Sequence, residues 1–301
     1  MDLVQGPVRV TVPATSANLG PGYDTLGLAL DLHDVVTAEV AGKLTITVDG
    51  ADQVPLDERH LVYRSMVAAF EQMGIPVPGI RLHCRNLIPH GRGLGSSSAA
   101  IVAGVFAARA LVADGEQRLP VDALFDLAAR IEGHPDNVAP AVYGGLTISY
   151  AESGAFHTVR LDVDQRIETV IAIPGSPVST ELARGLLPAQ VSHADAAANS
   201  GRAALLVAAL TGDVELLLPA TEDRLHQRYR APAMEQSYTL VEALRAEGIP
   251  AIISGAGPTV LAFAVRGHGT SSVAAAVDRL APGDWRRLTL AVSPHGAVVE
   301  A

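Results

Sequence analysis

The sequence predicts an α+β protein built from two domains that share a cleft. The chain has 301 residues, of which 49% are hydrophobic and 18% charged, enough apolar material for two globular cores. Short strand patterns and helical patterns follow one another in an order that suggests an α+β layer. The pattern changes after Gly144–Gly145, and we place a boundary near residues 155–165. We therefore expect an N-terminal domain over residues 1–160 and a C-terminal domain over residues 161–301.

In the first half of the chain, strand and helix signals alternate. Valines at positions 8, 10 and 12 alternate with polar residues, which predicts a strand that stops at Pro13 and leads into a polar loop over residues 14–24. Further strands are predicted over residues 35–40, 44–48 and 80–84, and helices over residues 62–73, 97–112 and 120–131. The helix at 97–112 is apolar on nearly all sides, so we expect it to be buried.

In the second half, strand patterns dominate both ends of a long helical stretch. Strands are predicted over residues 146–150, 158–163, 168–173, 251–253, 259–265 and 288–292. A helical region is predicted over residues 180–218, with further helices over residues 234–247 and 271–280.

The charge of the chain excludes several classes of function. The formal net charge is −10, which argues against a nucleic-acid partner, because nucleic-acid binding depends on a basic surface. A small anionic ligand must therefore be held by local features of its site. Lys43 is the single lysine of the chain, so a Walker-type phosphate loop, which needs a lysine after its last glycine, is excluded.

Cysteine content and hydrophobic patterning bear on localisation. The single cysteine, Cys84, excludes an internal disulfide and fits a reducing compartment. The first ten residues lack the pattern of a secretory signal. The longest apolar stretch, residues 99–113, is interrupted by Arg109 and falls short of the ~20 residues that span a membrane. We expect a cytoplasmic protein without a membrane partner.

A glycine- and serine-rich segment between a predicted strand and the buried helix is the clearest candidate site. Glycines let backbone N–H groups approach an anion, and the first turn of the helix adds unpaired N–H groups and a partial positive charge. The segment is either a phosphate-binding loop or a flexible connector in which a serine caps the following helix. The candidate binding residues are Pro89, His90, Gly91, Arg92, Gly93, Leu94, Gly95, Ser96, Ser97, Ser98 and Ala99. Arg92 either replaces the missing lysine or is solvated.

This segment resembles the second motif of the GHMP small-molecule kinases. Residues 13–24 (PATSANLGPGYD) resemble the first motif of that family, and residues 254–260 (SGAGPTV) resemble the third. The three motifs occur in the family's order over most of the chain. The resemblance implies a two-domain GHMP kinase fold, with a ribosomal protein S5 domain 2-like N-terminal domain and a ferredoxin-like C-terminal domain. It also implies ATP and Mg²⁺ as cofactors.

Three further stretches resemble the homoserine kinases within that family. The first motif lacks the lysine that members acting on mevalonate or galactose carry there. The stretches that carry the closer resemblance are NLGPGYD in the first motif, EGHPDNVAPA at residues 132–141, and the segment from Ser179 to Pro188. The resemblance implies ATP-dependent phosphorylation of the side-chain hydroxyl of L-homoserine to O-phospho-L-homoserine, in threonine biosynthesis.

A zwitterionic substrate with a free hydroxyl needs three kinds of partner. Arginine forks suit its carboxylate and an acid suits its ammonium group. By resemblance, Arg184 and Arg230 are the candidates for the carboxylate, Asp24 with Asn18 for the ammonium group and Asn137 for the hydroxyl.

Each of these candidates has an ordinary structural alternative. Asn18 and Asp24 could instead cap turns, and the arginines could lie on solvated helix faces. Arg228 stands two residues from Arg230, so the register of that assignment stays open.

The remaining candidates concern the metal and the chemistry. The resemblance nominates Ser98 and Glu132 as ligands of Mg²⁺, although Glu132 could be a surface charge. Asn137, Asp136 and Arg184 are the candidate catalytic residues, and Asp136 either accepts the hydroxyl proton or only orients its neighbours. His134 and Thr180 are further candidates for substrate binding, while His134 could equally be a buried residue bonded to backbone.

Two other functions remain open at the level of sequence. One is a different GHMP kinase, acting on shikimate or an isoprenoid alcohol; the arginine pair with Asp24 argues for a zwitterion instead. The other is a catalytically inactive nucleotide-binding module, which would be expected to lose the loop or the metal carboxylate. His60 stands where related sequences commonly have asparagine, and it is expected to border the adenine pocket. We also expect a homodimer.

Overall fold

The computed structural model of the protein describes residues 3–50, 53–281, 283 and 285–300. Its strands are β1 (Val8–Ala17), β2 (Leu26–Ala41), β3 (Thr45–Asp49), β4 (Gly79–Arg85), β5 (Leu146–Glu152), β6 (Ala155–Leu161), β7 (Ile167–Ile173), β8 (Ala251–Ile253), β9 (Val260–Val265), β10 (Arg286–Ala291) and β11 (Val298–Glu300). Its helices are α1 (Leu61–Gln72), α2 (Ser96–Ala110), α3 (Gly115–Arg118), α4 (Val121–Glu132), α5 (Val138–Tyr143), α6 (Thr180–Gly185), α7 (His193–Thr211), α8 (Leu217–Ala220), α9 (Gln227–Arg230), α10 (Glu235–Ala246) and α11 (His268–Leu280).

The phosphate-loop candidate lies between β4 of the first sheet and helix α2. The strands of this sheet follow the order β11-β1-β2-β4-β3, with β5 paired to the start of β2 and β6 paired to β5. Helix α2 packs against α1, α4 and β1, and its residues from Ser98 to Ala108 are almost all buried. The prediction of a buried helix is confirmed, because a helix that is apolar all round can only be stable inside a core.

The predicted end of the first strand is wrong. β1 continues past Pro13 to Ala17, with a register shift at Pro13/Ala14, and pairs there with the beginning of β2. The sequence suggested a loop because this stretch contains polar residues. Thr15 and Ser16 are fully buried, however, and their hydroxyls are hydrogen-bonded inside the protein. Polarity in this stretch therefore reflects a buried site and not solvent exposure.

The second sheet has the order β10-β7-β9-β8 with antiparallel pairing throughout. In chain order its elements run β7, helices, β8, β9, α11 and β10, which is the βαββαβ arrangement of a ferredoxin-like domain. Helices α10 and α11 pack on this sheet and share its apolar core with β8 and β9. The expected α+β class with a ferredoxin-like second domain is confirmed.

The helical region predicted over residues 180–218 is helical in the structure, with interruptions. The region divides into the short α6, the long α7 and the short α8. Pro188 lies between α6 and α7, where a proline favours a break in helical structure. α7 then begins with its own cap, because Ser192 Oγ accepts a hydrogen bond from the backbone N–H of Asp195 at 3.0 Å. This break places α6 at the mouth of the cleft described below.

The chain passes from the first sheet to the second between β6 and β7, and β11 returns to pair with β1. The division into residues 1–160 and 161–301 stays a prediction. Among the described residues, helices that combine the length and apolar character needed to cross a membrane are absent.

Candidate active site

A cleft of about 270 Å³ brings all three sequence motifs together. From the first motif it is lined by Asn18 and Asp24, and from the third by residues 255–257. The other lining residues come from the glycine-rich loop and the first turn of α2, from the end of α4 and the segment after it, from α6 and the residues just before it, and from α9. They are Gly91, Gly93, Gly95, Ser96, Ser97, Glu132, His134, Asp136, Asn137, Val178, Ser179, Thr180, Arg184 and Arg230. Side chains scattered over the sequence therefore converge at one place.

The glycine-rich loop ends at Gly95, which is the N-terminal cap of α2. Gly95 has φ +70°, and a Cβ there would collide with Thr15 Oγ1, so the position suits only glycine. A glycine cap has no side chain to accept hydrogen bonds from the first turn. The N–H groups of that turn are therefore available to an anion at the cleft, next to the positive end of the helix dipole.

The other predicted loop residues divide into three groups. Gly91, Gly93, Ser96 and Ser97 line the cleft with Gly95. His90 and Ala99 line a neighbouring cavity, and Ser96 and Ser97 line both that cavity and the cleft. The remaining ones, Pro89, Arg92, Leu94 and Ser98, are outside the residues that line either space.

Arg92 is held by the second half of the chain. Its guanidinium donates hydrogen bonds to the carbonyl oxygens of Pro174 at 3.1 Å, Gly175 at 2.5 Å and His90 at 3.1 Å. In this position Arg92 braces the loop. Its predicted part in phosphate binding stays a prediction.

Glu132 meets the loop serines at the start of α2. Ser98 Oγ donates to Glu132 Oε1 at 2.9 Å, and Ser97 Oγ donates to the same oxygen at 2.5 Å. Ser98 is fully buried, so its hydroxyl is fixed beside the carboxylate. Glu132 is the last residue of α4, and Gly133 with φ +92° turns the chain away after it. Hydroxyl and carboxylate oxygens at this spacing are the hard donors that Mg²⁺ prefers.

The first-motif loop is organised by Asn18. Its Oδ1 accepts a hydrogen bond from the backbone N–H of Asp24 at 2.9 Å, and its Nδ2 donates to the carbonyl oxygen of Gly255 at 2.9 Å. Asn18 and Asp24 both have positive φ, so the loop is tightly folded. Asn18 thus joins the first and third motifs at the cleft, and it does so through its own amide group.

Asp24 and Arg184 form a bidentate pair across the cleft. Arg184 Nη1 donates to Asp24 Oδ2 and Nη2 donates to Oδ1, both at 2.9 Å. The hydrogen bond to Asp24 raises the pKa of Arg184 above its ordinary value. Both side chains stay partly exposed, so the pair is accessible to a ligand. An acid and an arginine that already match each other present complementary charges to a zwitterion.

Arg230 differs from Arg184 because it lacks a carboxylate partner among the described residues. It is 1% exposed, and its Nη1 donates to His226 Nδ1 at 3.1 Å and to Gly255 O at 3.4 Å. Its Nε has no hydrogen-bond acceptor in the described part of the chain. Burial lowers the pKa of Arg230, and the charges of Asp24 and Asp223 act in the opposite direction. A buried cation in this state favours an anionic ligand.

The neighbouring Arg228 resolves the register question. It is exposed, and it donates to Tyr229 Oη at 2.6 Å and to Asp195 Oδ2 at 3.5 Å. Arg230, and not Arg228, lines the cleft.

The segment after α4 supplies a buried acid and an oriented amide. Asp136 is 2% exposed; its Oδ1 lies 2.9 Å from His134 Nδ1 and accepts the backbone N–H of Asn137 at 3.0 Å. Burial would lower the pKa of His134, but the hydrogen bond to Asp136 and the nearby carboxylates outweigh it, so that pKa is raised. Thr15 Oγ1 donates to Asn137 Oδ1 at 2.8 Å, which leaves the Asn137 N–H groups available to the cleft.

The third motif packs directly on the glycine-rich loop. Ser254 Oγ donates to the carbonyl oxygen of Gly93 at 2.6 Å, and Thr259 N donates to Arg92 O at 3.3 Å. A Cβ on Gly93 would collide with Ser254 O, so only glycine permits this approach. The third motif thus contacts the glycine-rich loop directly.

A second cavity of about 290 Å³ adjoins the cleft through Ser96 and Ser97. Its walls are mainly apolar, and they include His60. That this cavity is the adenine pocket expected beside His60 stays a prediction. Asp34, Asn86, Val54 and Pro55 also line it, and sequence reasoning missed them. Asp34 is buried and accepts the N–H groups of Leu87 and Ile88, a contact between β2 and the segment after β4 that the sequence pattern does not reveal.

Three further residues near the cleft were not singled out from the sequence. Thr15 orients Asn137, Tyr23 lies under both cleft arginines, and His226 contacts Arg230. Thr15 and Tyr23 stood inside the first motif without a distinguishing signal. The spacing of His226 four residues before Arg230 could have suggested that they share a helix face.

Comparison with known proteins agrees with this geometry. The sequence model of the GHMP kinases N terminal domain matches residues 60–145, and that of the GHMP kinases C terminal matches residues 205–281. Homoserine kinase of Streptomyces coelicolor is 56% identical over 295 residues, which cover 97% of this chain and 94% of that protein. Homoserine kinase of Clavibacter michiganensis is 48% identical over 297 residues, covering 97% and 94%.

Solved structures show the same likeness. The crystal structure of homoserine kinase from Cytophaga hutchinsonii has a TM-score of 0.84 and 28% identity, and the match covers 100% of this chain and 99% of that one. Mevalonate diphosphate decarboxylase from Staphylococcus aureus, at 14% identity and a TM-score of 0.74, shares the fold alone. The chain belongs to the GHMP kinase family, and the two sequence relatives named above, each matched over 94% of its own length, are homoserine kinases.

Proposed function

We propose that this protein is a homoserine kinase, which transfers the γ-phosphoryl group of ATP to the side-chain hydroxyl of L-homoserine and releases O-phospho-L-homoserine. The step belongs to threonine biosynthesis, and we place the protein in the cytoplasm. Homoserine kinases that are 56% and 48% identical over 97% of the chain support this activity.

The observation that carries the proposal is the set of charges in the cleft. Arg230 is buried without a carboxylate partner among the described residues, and Arg184 with Asp24 forms an accessible ion pair beside it. An α-carboxylate would be held by the two guanidinium groups, and an α-ammonium group by Asp24. An isoprenoid alcohol has neither charge and would leave Arg230 uncompensated.

The nucleotide is assigned to the two connected spaces. The triphosphate would lie against the first turn of α2 and the loop residues 91–98, where backbone N–H groups replace the missing lysine. The base would occupy the apolar cavity bordered by His60, which adjoins the cleft through Ser96 and Ser97. The γ-phosphate would then point toward the charged part of the cleft.

Ser98 and Glu132 are proposed to hold Mg²⁺. Their oxygens lie 2.9 Å apart next to the phosphate loop, and the chemistry of both donors fits a hard cation. When bound, the ion neutralises charge on the phosphate oxygens. Ser97, which also donates to Glu132, keeps the carboxylate turned toward the loop.

Asn137 is proposed to aim the substrate hydroxyl at the γ-phosphate. Its amide is fixed by Thr15, and Thr180 and His134 complete the wall of the same cleft. Phosphoryl transfer depends mainly on positioning and charge stabilisation, so a strong base is not required. Asp136 is engaged by His134 and by the backbone of Asn137, which supports an orienting role for it.

A substrate panel tests the proposed function. The purified protein is incubated with Mg-ATP and L-homoserine, mevalonate or shikimate, and the products are followed by phosphorus NMR. We expect a phosphate monoester with L-homoserine alone. Phosphorylation of mevalonate or shikimate in its place would contradict the proposal, and binding of ATP without turnover with any acceptor would support a nucleotide-binding module instead.

A further inference from the structure

Arg230 is a cleft side chain whose direction is set by a second buried titratable group, His226. His226 is fully buried, four residues before Arg230 on the segment that ends in α9. Its Nδ1 lies 3.1 Å from Arg230 Nη1, and its Nε2 lies 2.8 Å from the carbonyl oxygen of Gly20 in the first-motif loop. The imidazole therefore bridges the two halves of the chain directly behind the cleft.

The two partners of His226 determine its tautomer. Arginine can only donate, so Nδ1 must be the unprotonated acceptor, and the carbonyl of Gly20 requires a proton on Nε2. Such a ring is neutral, and full burial, which lowers the pKa of His226, favours that state. Asp223 lies 3.8 Å from Nε2, but its oxygens also accept backbone N–H groups, including that of His226.

We propose that His226 is a positioning residue for substrate binding: its unprotonated Nδ1 fixes Arg230 so that the guanidinium faces the substrate carboxylate. Nη1 is occupied by His226 and Gly255 O, while Nε lacks an acceptor in the described part of the chain. The contact with His226 therefore determines the direction in which the rest of the Arg230 guanidinium, including Nε, points. Tyr23 supports the arrangement, since its ring lies 5.4 Å from both the His226 ring and the Arg230 guanidinium carbon.

A double-mutant cycle tests this inference, which rests on the proposed function. His226→Leu removes the acceptor, and we expect it to raise the KM for L-homoserine about tenfold or more while the KM for ATP changes less than about twofold. Arg230→Met should raise the same KM. The double variant should be no worse than Arg230→Met alone, because His226 acts through Arg230.

A control variant distinguishes the positioning of Arg230 from a general loosening of the first-motif loop. Asn199 is also buried and also ties the first-motif loop to the second half, with Nδ2 donating to Pro21 O at 2.7 Å. It does not contact Arg230 among the described hydrogen bonds. Asn199→Leu should therefore give an effect that adds to that of Arg230→Met. Additive effects for His226→Leu as well would overturn the inference.

A measurement on the wild-type protein covers the case in which His226→Leu does not fold. In protein labelled with ¹⁵N-histidine, His226 should show the neutral form with the proton on Nε2. An imidazolium, or a proton on Nδ1, would contradict the inference. Failure of the wild type to phosphorylate L-homoserine would instead refute the proposed function, so the two failures are distinguishable.

Discussion

At the scale of single residues, the two cleft arginines are prepared for a ligand in different ways. Arg184 is paired bidentately with Asp24 and partly exposed, whereas Arg230 is buried, and its described hydrogen bonds go only to a neutral ring and a carbonyl oxygen. A carboxylate that reaches both would have to share Arg184 with Asp24. The planar guanidinium of Arg184 matters for this sharing, because a lysine has the same charge but cannot donate two parallel hydrogen bonds to a carboxylate.

Arg184→Lys is expected to raise the KM for L-homoserine about 10- to 100-fold, because it removes one charge-assisted hydrogen bond to the substrate carboxylate. The KM for ATP should change by less than about twofold. Steady-state kinetics with each substrate varied gives both constants. Arg228→Lys is the matched control, because Arg228 is exposed and outside the cleft lining. Equal effects of Arg184→Lys on both KM values would contradict its assignment to the carboxylate.

Asp136→Asn is expected to retain turnover, with kcat lowered less than about 100-fold, because an amide can still accept the hydrogen bond from Asn137 N. Single-turnover kinetics gives the rate of the chemical step, and calorimetry with L-homoserine checks that binding is intact. Complete loss of turnover with intact binding would assign Asp136 as the general base.

At the scale of elements, the start of α2 is where the fold and the proposed nucleotide site depend on each other. Gly95 and Gly74 both have φ +70°, but a Cβ would collide with Thr15 at Gly95 and would meet open space at Gly74. A side chain at either position therefore has to adopt a left-handed backbone conformation, but only a side chain at Gly95 would also collide with Thr15.

Gly74→Ala is expected to destabilise the protein by about 1–2 kcal/mol through backbone strain alone. Gly95→Ala should cost about 1–3 kcal/mol more, because the methyl group displaces Thr15, and it should also weaken ATP binding. Urea unfolding measures the first effect and calorimetry with an ATP analogue the second. Equal stability and equal ATP affinity of the two variants would show that the contact with Thr15 does not matter.

The end of α4 carries the proposed metal carboxylate. Glu132→Gln keeps the size of the side chain and removes its charge, so the Mg²⁺ concentration needed for half-maximal activity should rise about tenfold or more. A magnesium titration of the rate measures this. Glu71→Gln, on the exposed face of α1, is the control and should leave the titration unchanged. An unchanged titration for Glu132→Gln would remove Glu132 from the metal site.

At the scale of the whole molecule, the cleft exists because two domains contribute to it. The glycine-rich loop belongs to the first sheet's side, and its carbonyl oxygens accept hydrogen bonds from Val178, Ser254 and Thr259 of the second half. Arg184 and Arg230 also come from the second half. Docking of the third motif on the loop thus places the phosphate site next to the arginines.

Much of this architecture was predictable from local patterns. The buried helix α2, the glycine-rich loop before it and the ferredoxin-like second domain follow from periodicity, turn residues and the motif resemblance. The course of β1 past Pro13 was not, because buried hydroxyls at Thr15 and Ser16 have the same composition as an exposed loop. The partners of Arg230 and the lining of the base cavity depend on contacts between distant segments, which no local pattern contains.

A crystal structure with an ATP analogue, Mg²⁺ and L-homoserine tests the central claim most directly. We predict that the triphosphate lies against residues 91–98 and that the homoserine carboxylate contacts Arg184 and Arg230, with its hydroxyl toward the γ-phosphate. A triphosphate bound elsewhere, or a homoserine whose carboxylate contacts neither arginine, would contradict it.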